Sequence, residues 1–144
     1  HSRNAEQDDP MAELVTLRAF LEAYEREPWT PGGKVDCCLI VAEWVKWLGY
    51  PDPAEGLRGT YEAGQGQIDV LASNGGAVGI IERGALMVGA RRVSVPQAGD
   101  FGVVGSAKNI TRQFGVIHDG EGWLTRAPDG FKRITARTLA VWRL

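Results

Sequence analysis

The sequence has few of the residues that carry most enzyme chemistry, with two histidines and two cysteines among 144 residues. His1 is the first residue, so His118 is the one histidine inside the chain. The cysteines, Cys37 and Cys38, are neighbours, and adjacent residues cannot easily reach disulfide geometry. This scarcity excludes a disulfide framework, and no CxxC or HExxH motif offers a metal site. We therefore expect reduced thiols, no metal and no cofactor.

Long apolar runs are also absent. The most apolar stretch, LIVAEWVKWLGY, is interrupted by Glu43 and Lys46, whereas a membrane-spanning helix needs roughly 20 apolar residues. The polar start, HSRNAEQDDP, does not have the pattern of a signal peptide, and we interpret residues 1–10 as a flexible leader or a remnant of cloning. A net charge of −2 argues against a general nucleic-acid binder. The sequence thus predicts no membrane span, no signal peptide and no nucleic-acid partner.

Helical patterns occupy the first two thirds of the chain. Residues 11–27 place apolar side chains at helical spacing. Residues 36–49 form the most apolar helical pattern, with Asp36 as its natural N-cap. Two shorter helices are predicted over residues 65–73 and 77–86, on either side of an Asn-Gly-Gly turn.

Strand patterns replace the helical ones after Pro96. The β-rich runs are short and are separated by turn signals such as Asp-Gly. Helices followed by an antiparallel meander predict one α+β domain over residues 11–144, with N-terminal helices packed on a C-terminal antiparallel β-sheet. The predicted strands are 99–104, 113–118, 122–127, 130–134 and 140–144.

The position of Cys37 suggests a nucleophile. It lies in the first turn of the predicted second helix, where the helix dipole and unpaired backbone N–H groups favour a thiolate. A cysteine hydrolase needs its nucleophile in such a place. The alternative is a structural role, because free cysteines commonly fill space in cores, and Cys38 fits that description equally well.

Several short motifs resemble those of NlpC-like cell-wall cysteine peptidases. VDCCLIVAEWV is similar to the Asp-Cys-Ser-Gly nucleophile motif of that family, and Arg58-Gly59-Thr60-Tyr61 stands where the family often has an arginine-containing loop. Gly99-Asp100-Phe101 and QFGVIHDG resemble its Gly-Asp and His-Val-Gly-Ile strands. The chain after residue 30, with its terminal AVWRL strand, is similar to phage tail-tip proteins of the same superfamily. The resemblance implies a papain-like, NlpC-type fold.

Matched residue by residue, the resemblance places Cys37 at the nucleophile, Gln113 at the catalytic histidine and Thr125 near the polar group that orients this histidine. Glutamine cannot accept a proton near neutral pH, so Gln113 cannot be a general base. His118 is the other candidate base. In a regular strand, however, it faces away from Gln113, and only a bulge would turn it toward the cleft. The alternative is a surface histidine at the end of a strand.

Three further residues complete the predicted cleft. Arg58 is suited to bind a peptide carboxylate as a bidentate donor, and Tyr61 is placed to line the same cleft. A surface arginine and a tyrosine that packs its own loop are the alternatives. Asp36 is better explained as an N-cap than as an acid catalyst.

The resemblance implies two functions. One is a phage tail-tip cysteine hydrolase that cleaves amide bonds of host peptidoglycan during DNA entry. The other is an inactive structural or binding subunit of the tail tip, which keeps the fold but lacks the base. An acyl-transfer enzyme on this fold would need the same base. In each case we expect synthesis in the host cytoplasm, residence in the virion, and tail-tip or hub proteins as partners.

Overall fold

Four helices precede a six-stranded sheet in residues 10–144, the part of the chain that this computed structural model describes. Residues 1–9, which make up most of the predicted leader, lie outside the described residues. A short 3-10 helix, Ile110–Arg112, precedes the third strand. The α+β class predicted from the sequence is confirmed. The elements are α1 Pro10–Tyr24, α2 Leu39–Trp47, α3 Gln65–Ser73, α4 Gly76–Met87, β1 Arg91–Arg92, β2 Phe101–Gly105, β3 Gln113–His118, β4 Trp123–Ala127, β5 Gly130–Ile134 and β6 Thr138–Arg143.

The strands form an antiparallel sheet in the order β1-β6-β2-β3-β4-β5. The last strand therefore lies inside the sheet, between β1 and β2. Phe101 in β2 pairs with Ile117 on one side and with Trp142 on the other. The strands predicted from the sequence are present with their ends shifted by up to two residues. The additional strand, β1, has only two residues, too few for a strand pattern to be recognised.

The helices cover one face of the sheet, where the larger hydrophobic core lies. Leu17 and Phe20 of α1 pack there with Trp44 of α2. Side chains alternate between the two faces along each strand, so β3 sends Ile117 into this core and Val116 to the other face. A smaller cluster of Val104, Val116, Trp123 and Val141 lies on that second face.

Helix α1 ends at Tyr24, three residues earlier than its apolar pattern predicts. The reason is Arg126 of β4, whose side chain is buried. Its guanidinium donates hydrogen bonds to the backbone carbonyls of Tyr24, Glu25 and Glu27. A cation that satisfies the last carbonyls of a helix stabilises its C-terminus, so the chain turns here instead of continuing the helix.

Helix α2 begins at Leu39, three residues later than predicted. Residues 36–38 form a turn, and Cys38 is the last residue before the helix. The predicted surroundings of the helix are correct, since residues 39–45 are all buried. Cys37 consequently lies outside the first helical turn in which the sequence placed it.

Candidate functional site

Asp36 organises the turn that carries both cysteines. Its carboxylate Oδ1 accepts hydrogen bonds from the backbone N–H groups of Cys38 (2.9 Å) and Leu39 (2.7 Å). Its backbone carbonyl accepts from the N–H of Ile40, and the carbonyl of Cys38 accepts from Val41. The capping role predicted for Asp36 is therefore present, although the helix starts later. The N–H groups of residues 38–41, at the cap and in the first turn of α2, all have partners, so these four are not free to stabilise an oxyanion.

The other carboxylate oxygen of Asp36 joins this turn to two more segments. Oδ2 accepts from the N–H of Gly32 at 3.0 Å and from the phenol of Tyr61. Asp36 is fully buried, and Tyr61 is 9% exposed. Burial and the charge of Asp36 raise the pKa of the Tyr61 phenol. Tyr61 thus packs its own loop against the cysteine turn, and its hydroxyl is held inside the protein.

The two thiols differ in exposure. Cys37 is half-buried and Cys38 is buried. The hydrogen bond with the Cys37 side chain and burial raise the pKa of the Cys38 thiol well above its usual value, against a smaller opposing effect of the Gly115 N–H. A protonated thiol is a weak nucleophile, so Cys38 is suited to packing and not to attack.

Strand β3 packs directly beneath the cysteine turn. A Cβ atom on Gly115 would come within 2.3 Å of the Cys37 carbonyl oxygen and 3.2 Å of the Cys38 Cα. Only glycine allows this approach of strand to turn. The QFGVIHDG and VDCC motifs are therefore in contact through their backbones.

Gln113, which the resemblance matches to a catalytic histidine, hydrogen-bonds to backbone groups with both ends of its amide. Oε1 accepts from the N–H of Ala77 in the first turn of α4, at 3.0 Å. Nε2 donates to the carbonyl of Ser106, also at 3.0 Å. A Cβ on Gly76 would lie 2.3 Å from Oε1, so a glycine is required where the amide meets the helix. Gln113 acts as a clamp between β3 and α4.

Thr125 hydrogen-bonds to the backbone of β3, and His118 lies with the cluster on the face of the sheet opposite the helices. Thr125 donates its hydroxyl to the carbonyl of Gly115 at 3.1 Å. His118 packs edge-on against Trp123, a member of the cluster on the face of the sheet opposite the helices. Its Nδ1 accepts from the N–H of Gly120 at 3.0 Å. The expectation of a surface histidine is also wrong, because His118 is 8% exposed, and burial lowers its pKa.

Arg58 uses its guanidinium to join three segments of the protein. Nε donates to Asp52 at 2.8 Å, and Nη1 donates to the carbonyls of Gly33 and Lys34. Nη2 donates to both Glu43 and Asp52. Burial alone would lower the pKa of Arg58, but the hydrogen bonds and charges of the two carboxylates outweigh it and raise the pKa. All five N–H donors have partners, so none is left for the carboxylate of a bound peptide.

Glu43 is the residue that sequence reasoning misplaced, since it was treated as a polar interruption of α2. It is 1% exposed and accepts hydrogen bonds from Tyr24, Lys46 and Arg58. Helical spacing contained the signal: Glu43 lies between Ile40 and Trp47, at i−3 and i+4, and these residues belong to the apolar face. A carboxylate on such a face needs a cation, and Arg58 supplies it.

The structure also pairs two motifs that the sequence left separate. Asp100 accepts two hydrogen bonds from Arg143, Nε to Oδ1 at 2.8 Å and Nη2 to Oδ2 at 2.7 Å. Asp100 is 2% exposed. Just before it, the carbonyl of Gly99 accepts from the indole of Trp44 at 2.8 Å. The Gly-Asp motif thus fixes the terminal strand and helix α2 relative to β2.

Two kinds of feature, clusters of metal-ligating side chains and membrane-spanning helices, are absent from the described residues. Residues 10–144 contain no group of three or more His, Cys, Asp or Glu side chains that could hold a metal ion. In the same range no helix combines the length and apolar character needed to cross a bilayer.

Residues 13–144 match a family model described as a domain of unknown function. Neither the curated proteins nor the solved structures give a match.

Proposed function

Because the chain belongs to the DUF6950 family, described as a domain of unknown function, we propose its function from the bonding of its own residues. It is a non-catalytic structural and binding module of a phage tail tip, built on an NlpC-like, papain-like scaffold. It holds a tail protein or a fragment of host peptidoglycan and does not cleave an amide bond.

The observation that carries this proposal is the bonding of Gln113. A cysteine hydrolase needs a base within hydrogen-bond reach of its thiol. At the position where the resemblance expects that base, the side chain is an amide whose oxygen binds the N–H of Ala77 and whose nitrogen binds the carbonyl of Ser106. Such a clamp stabilises the scaffold and accepts no proton.

The surroundings of the cysteines support the same proposal. The first N–H groups of α2 are bonded to Asp36 and Cys38, so they do not form an oxyanion hole. The alternative base, His118, lies on the other face of the sheet with Trp123. Hydrolysis and acyl transfer require the same activated thiolate, so the absence of a histidine base near Cys37, within the part of the chain that the structure describes, disfavours both reactions.

The assignment to a virion rests on the sequence resemblance. The motifs from Asp36 to Arg143 are similar to those of phage tail-tip proteins, and the structure places them in mutual contact. Tail-tip or hub proteins are the partners that this assignment implies, and host peptidoglycan is the ligand that it implies for the predicted cleft.

A phage that encodes this chain provides the test of the tail-tip assignment. Deleting the gene should prevent assembly of infective virions, whereas Cys37→Ala should leave the plaque titre unchanged because the thiol does no chemistry. Western blotting of purified virions checks that the variant is incorporated. Normal infectivity after deletion would contradict the tail-tip role. A Cys37→Ala virion that contains the protein but is as defective as the deletion would instead favour the hydrolase.

A further inference from the structure

An apolar cavity of about 340 Å³ lies between α2, α4 and the loop around residues 53–57. Its walls are mainly aliphatic and aromatic, and they include Val41, Val45, Leu57, Ile81 and Phe101. This volume is within the range of small-molecule pockets, which begins near roughly 300 Å³. We refer to this space as the α2–α4 cavity.

The α2–α4 cavity is separate from the cleft predicted from the sequence. Neither Asp36, Arg58 nor Tyr61 lines it, and Gln113 and Thr125 do not line it either. Cys38 lines it, whereas Cys37 does not. Cys38 is therefore a buried residue of the cavity wall, and the reactivity of its thiol is a probe of whether the cavity is filled.

One cationic residue of the cavity lining is Arg83, on α4. Arg83 is exposed, and the lining contains no aspartate or glutamate. Nη1 of Arg83 donates to Oδ1 of Asn74, a second polar residue of the lining, at 2.7 Å. Within residues 10–144 the guanidinium makes no other hydrogen bond, so its remaining donors face solvent at the rim. An apolar interior with a guanidinium at its edge complements a molecule that is aliphatic at one end and anionic at the other.

We propose that the α2–α4 cavity binds an aliphatic carboxylate, with the hydrocarbon among Val41, Ile81 and Phe101 and the carboxylate on Arg83. A medium-chain fatty acid has this chemistry, and so does the C-terminal aliphatic residue of a polypeptide. The inference is independent of the tail-tip assignment, because it uses only the cavity and its charge.

Isothermal titration with octanoate, hexanoate and 1-octanol tests the proposal. Octanoate should bind, and each methylene removed should weaken binding by roughly fourfold, the free energy of burying one CH₂ group. Because it lacks the anion, 1-octanol should bind about tenfold more weakly than octanoate. Equal binding of the acid and the alcohol, or affinity that does not depend on chain length, would overturn the proposal.

Charge reversal at the rim locates the carboxylate. Arg83→Glu should weaken octanoate binding by about tenfold or more, since a charge-assisted hydrogen bond is lost. Arg18→Glu is the matched control, because Arg18 is exposed on α1 and does not line the cavity. It should bind octanoate like the wild type. An equal loss in the two variants, or no loss in Arg83→Glu, would contradict the assigned site.

Cys38 reports occupancy of the cavity directly. In a Cys37→Ser background Cys38 is the sole thiol, and saturating octanoate should slow its modification by methyl methanethiosulfonate. Ala54→Phe, which extends a ring into the cavity from its loop, should abolish binding while a thermal melt shows that the protein is folded. If that variant does not fold, Arg83→Glu still tests the proposal. Unchanged labelling with bound octanoate would place the ligand elsewhere and overturn it.

A second probe separates the two sources of the carboxylate. N-acetyl-Leu-Leu with a free C-terminus is compared with octanoate and with the C-terminal amide of the same peptide. Tighter binding of the free peptide than of octanoate would support a polypeptide terminus, and the reverse order would support a fatty acid. If neither probe binds in the millimolar range, the proposal is wrong.

Discussion

Replacing Asp36 with alanine is expected to lower the free energy of unfolding by more than about 3 kcal/mol, because the loss of a helix cap is combined with buried donors left unsatisfied. The carboxylate accepts from two N–H groups at the start of α2, from the N–H of Gly32 and from the phenol of Tyr61. These groups are too enclosed to find water instead. Urea denaturation followed by circular dichroism measures the effect.

Two control variants separate capping from the loss of charge in general. Asp36→Asn keeps one carbonyl oxygen for Cys38 and Leu39 but presents an NH₂ group to the N–H of Gly32, so an intermediate loss is expected. Asp69→Ala removes an exposed aspartate from α3 and should change stability by no more than about 0.5 kcal/mol. If Asp36→Ala were as mild as Asp69→Ala, Asp36 would not be the organiser of the cysteine turn.

Replacing Arg58 with alanine is expected to cost about 3 kcal/mol, the low end of the range for removing one partner of a buried ion pair, because Lys46 still donates to Glu43. The Glu43 side chain, which is 0% exposed, would lose its ion pair with the Arg58 guanidinium. The carbonyls of Gly33 and Lys34 would lose the hydrogen bonds that Arg58 donates to them. Chemical denaturation at pH 7 measures this loss.

The double variant Glu43→Leu/Arg58→Leu is the informative control. It removes both charges of a mostly buried ion pair, so it should be more stable than Arg58→Ala. This holds although Tyr24 loses its hydrogen bond to Glu43 and Asp52 loses its hydrogen bond from Arg58. An Arg58→Ala protein as stable as the wild type would mean that Arg58 is an ordinary surface arginine, available to a ligand.

The ion pair between Arg58 and Asp52 also makes the stability of the protein depend on pH. Burial would raise the pKa of Asp52, but the hydrogen bond from Arg58 and the Ala54 N–H lower it below its usual 3.8. A group with a lowered folded pKa stabilises the protein above its unfolded pKa and loses this contribution as pH falls through the folded pKa. The wild type should therefore lose this part of its stability below about pH 4, and Arg58→Ala should lose less of it, because only the Ala54 N–H bond to Asp52 remains. Urea denaturation at pH 3 and pH 7 measures the difference.

The sequence predicted the elements because their signals are local. Helical spacing, the Asn-Gly-Gly turn and the Asp-Gly turns each depend on residues close together in the chain. The alternation along β3 was enough to predict that Gln113 and His118 face opposite ways. Asp36 was recognised as a cap for the same reason, since its partners are two and three residues away.

The remaining features depend on residues far apart in the chain. Arg126 ends α1 from about a hundred residues away, so the pattern of α1 alone predicted a longer helix. The clamp made by Gln113 requires α4 to lie over the start of β3. The α2–α4 cavity is a gap between elements, and no run of sequence encodes it.

The residues of the family-like motifs bond mainly to one another. Asp36 accepts a hydrogen bond from Tyr61, and Asp100 accepts from Arg143. Trp44 donates to the carbonyl of Gly99. These are contacts of a scaffold, and they account for the motifs without a reaction. The bonds that these residues make in the structure are therefore structural ones.

The most direct test of the account is release of soluble fragments from purified peptidoglycan under reducing conditions. Wild type, Cys37→Ala and Cys38→Ala are incubated with sacculi of diaminopimelate and lysine types, and the products are followed by mass spectrometry. The account predicts that all three proteins stay at the level of the buffer control. Fragments that appear with the wild type and disappear with Cys37→Ala would contradict it, because Cys37 would then be a working nucleophile.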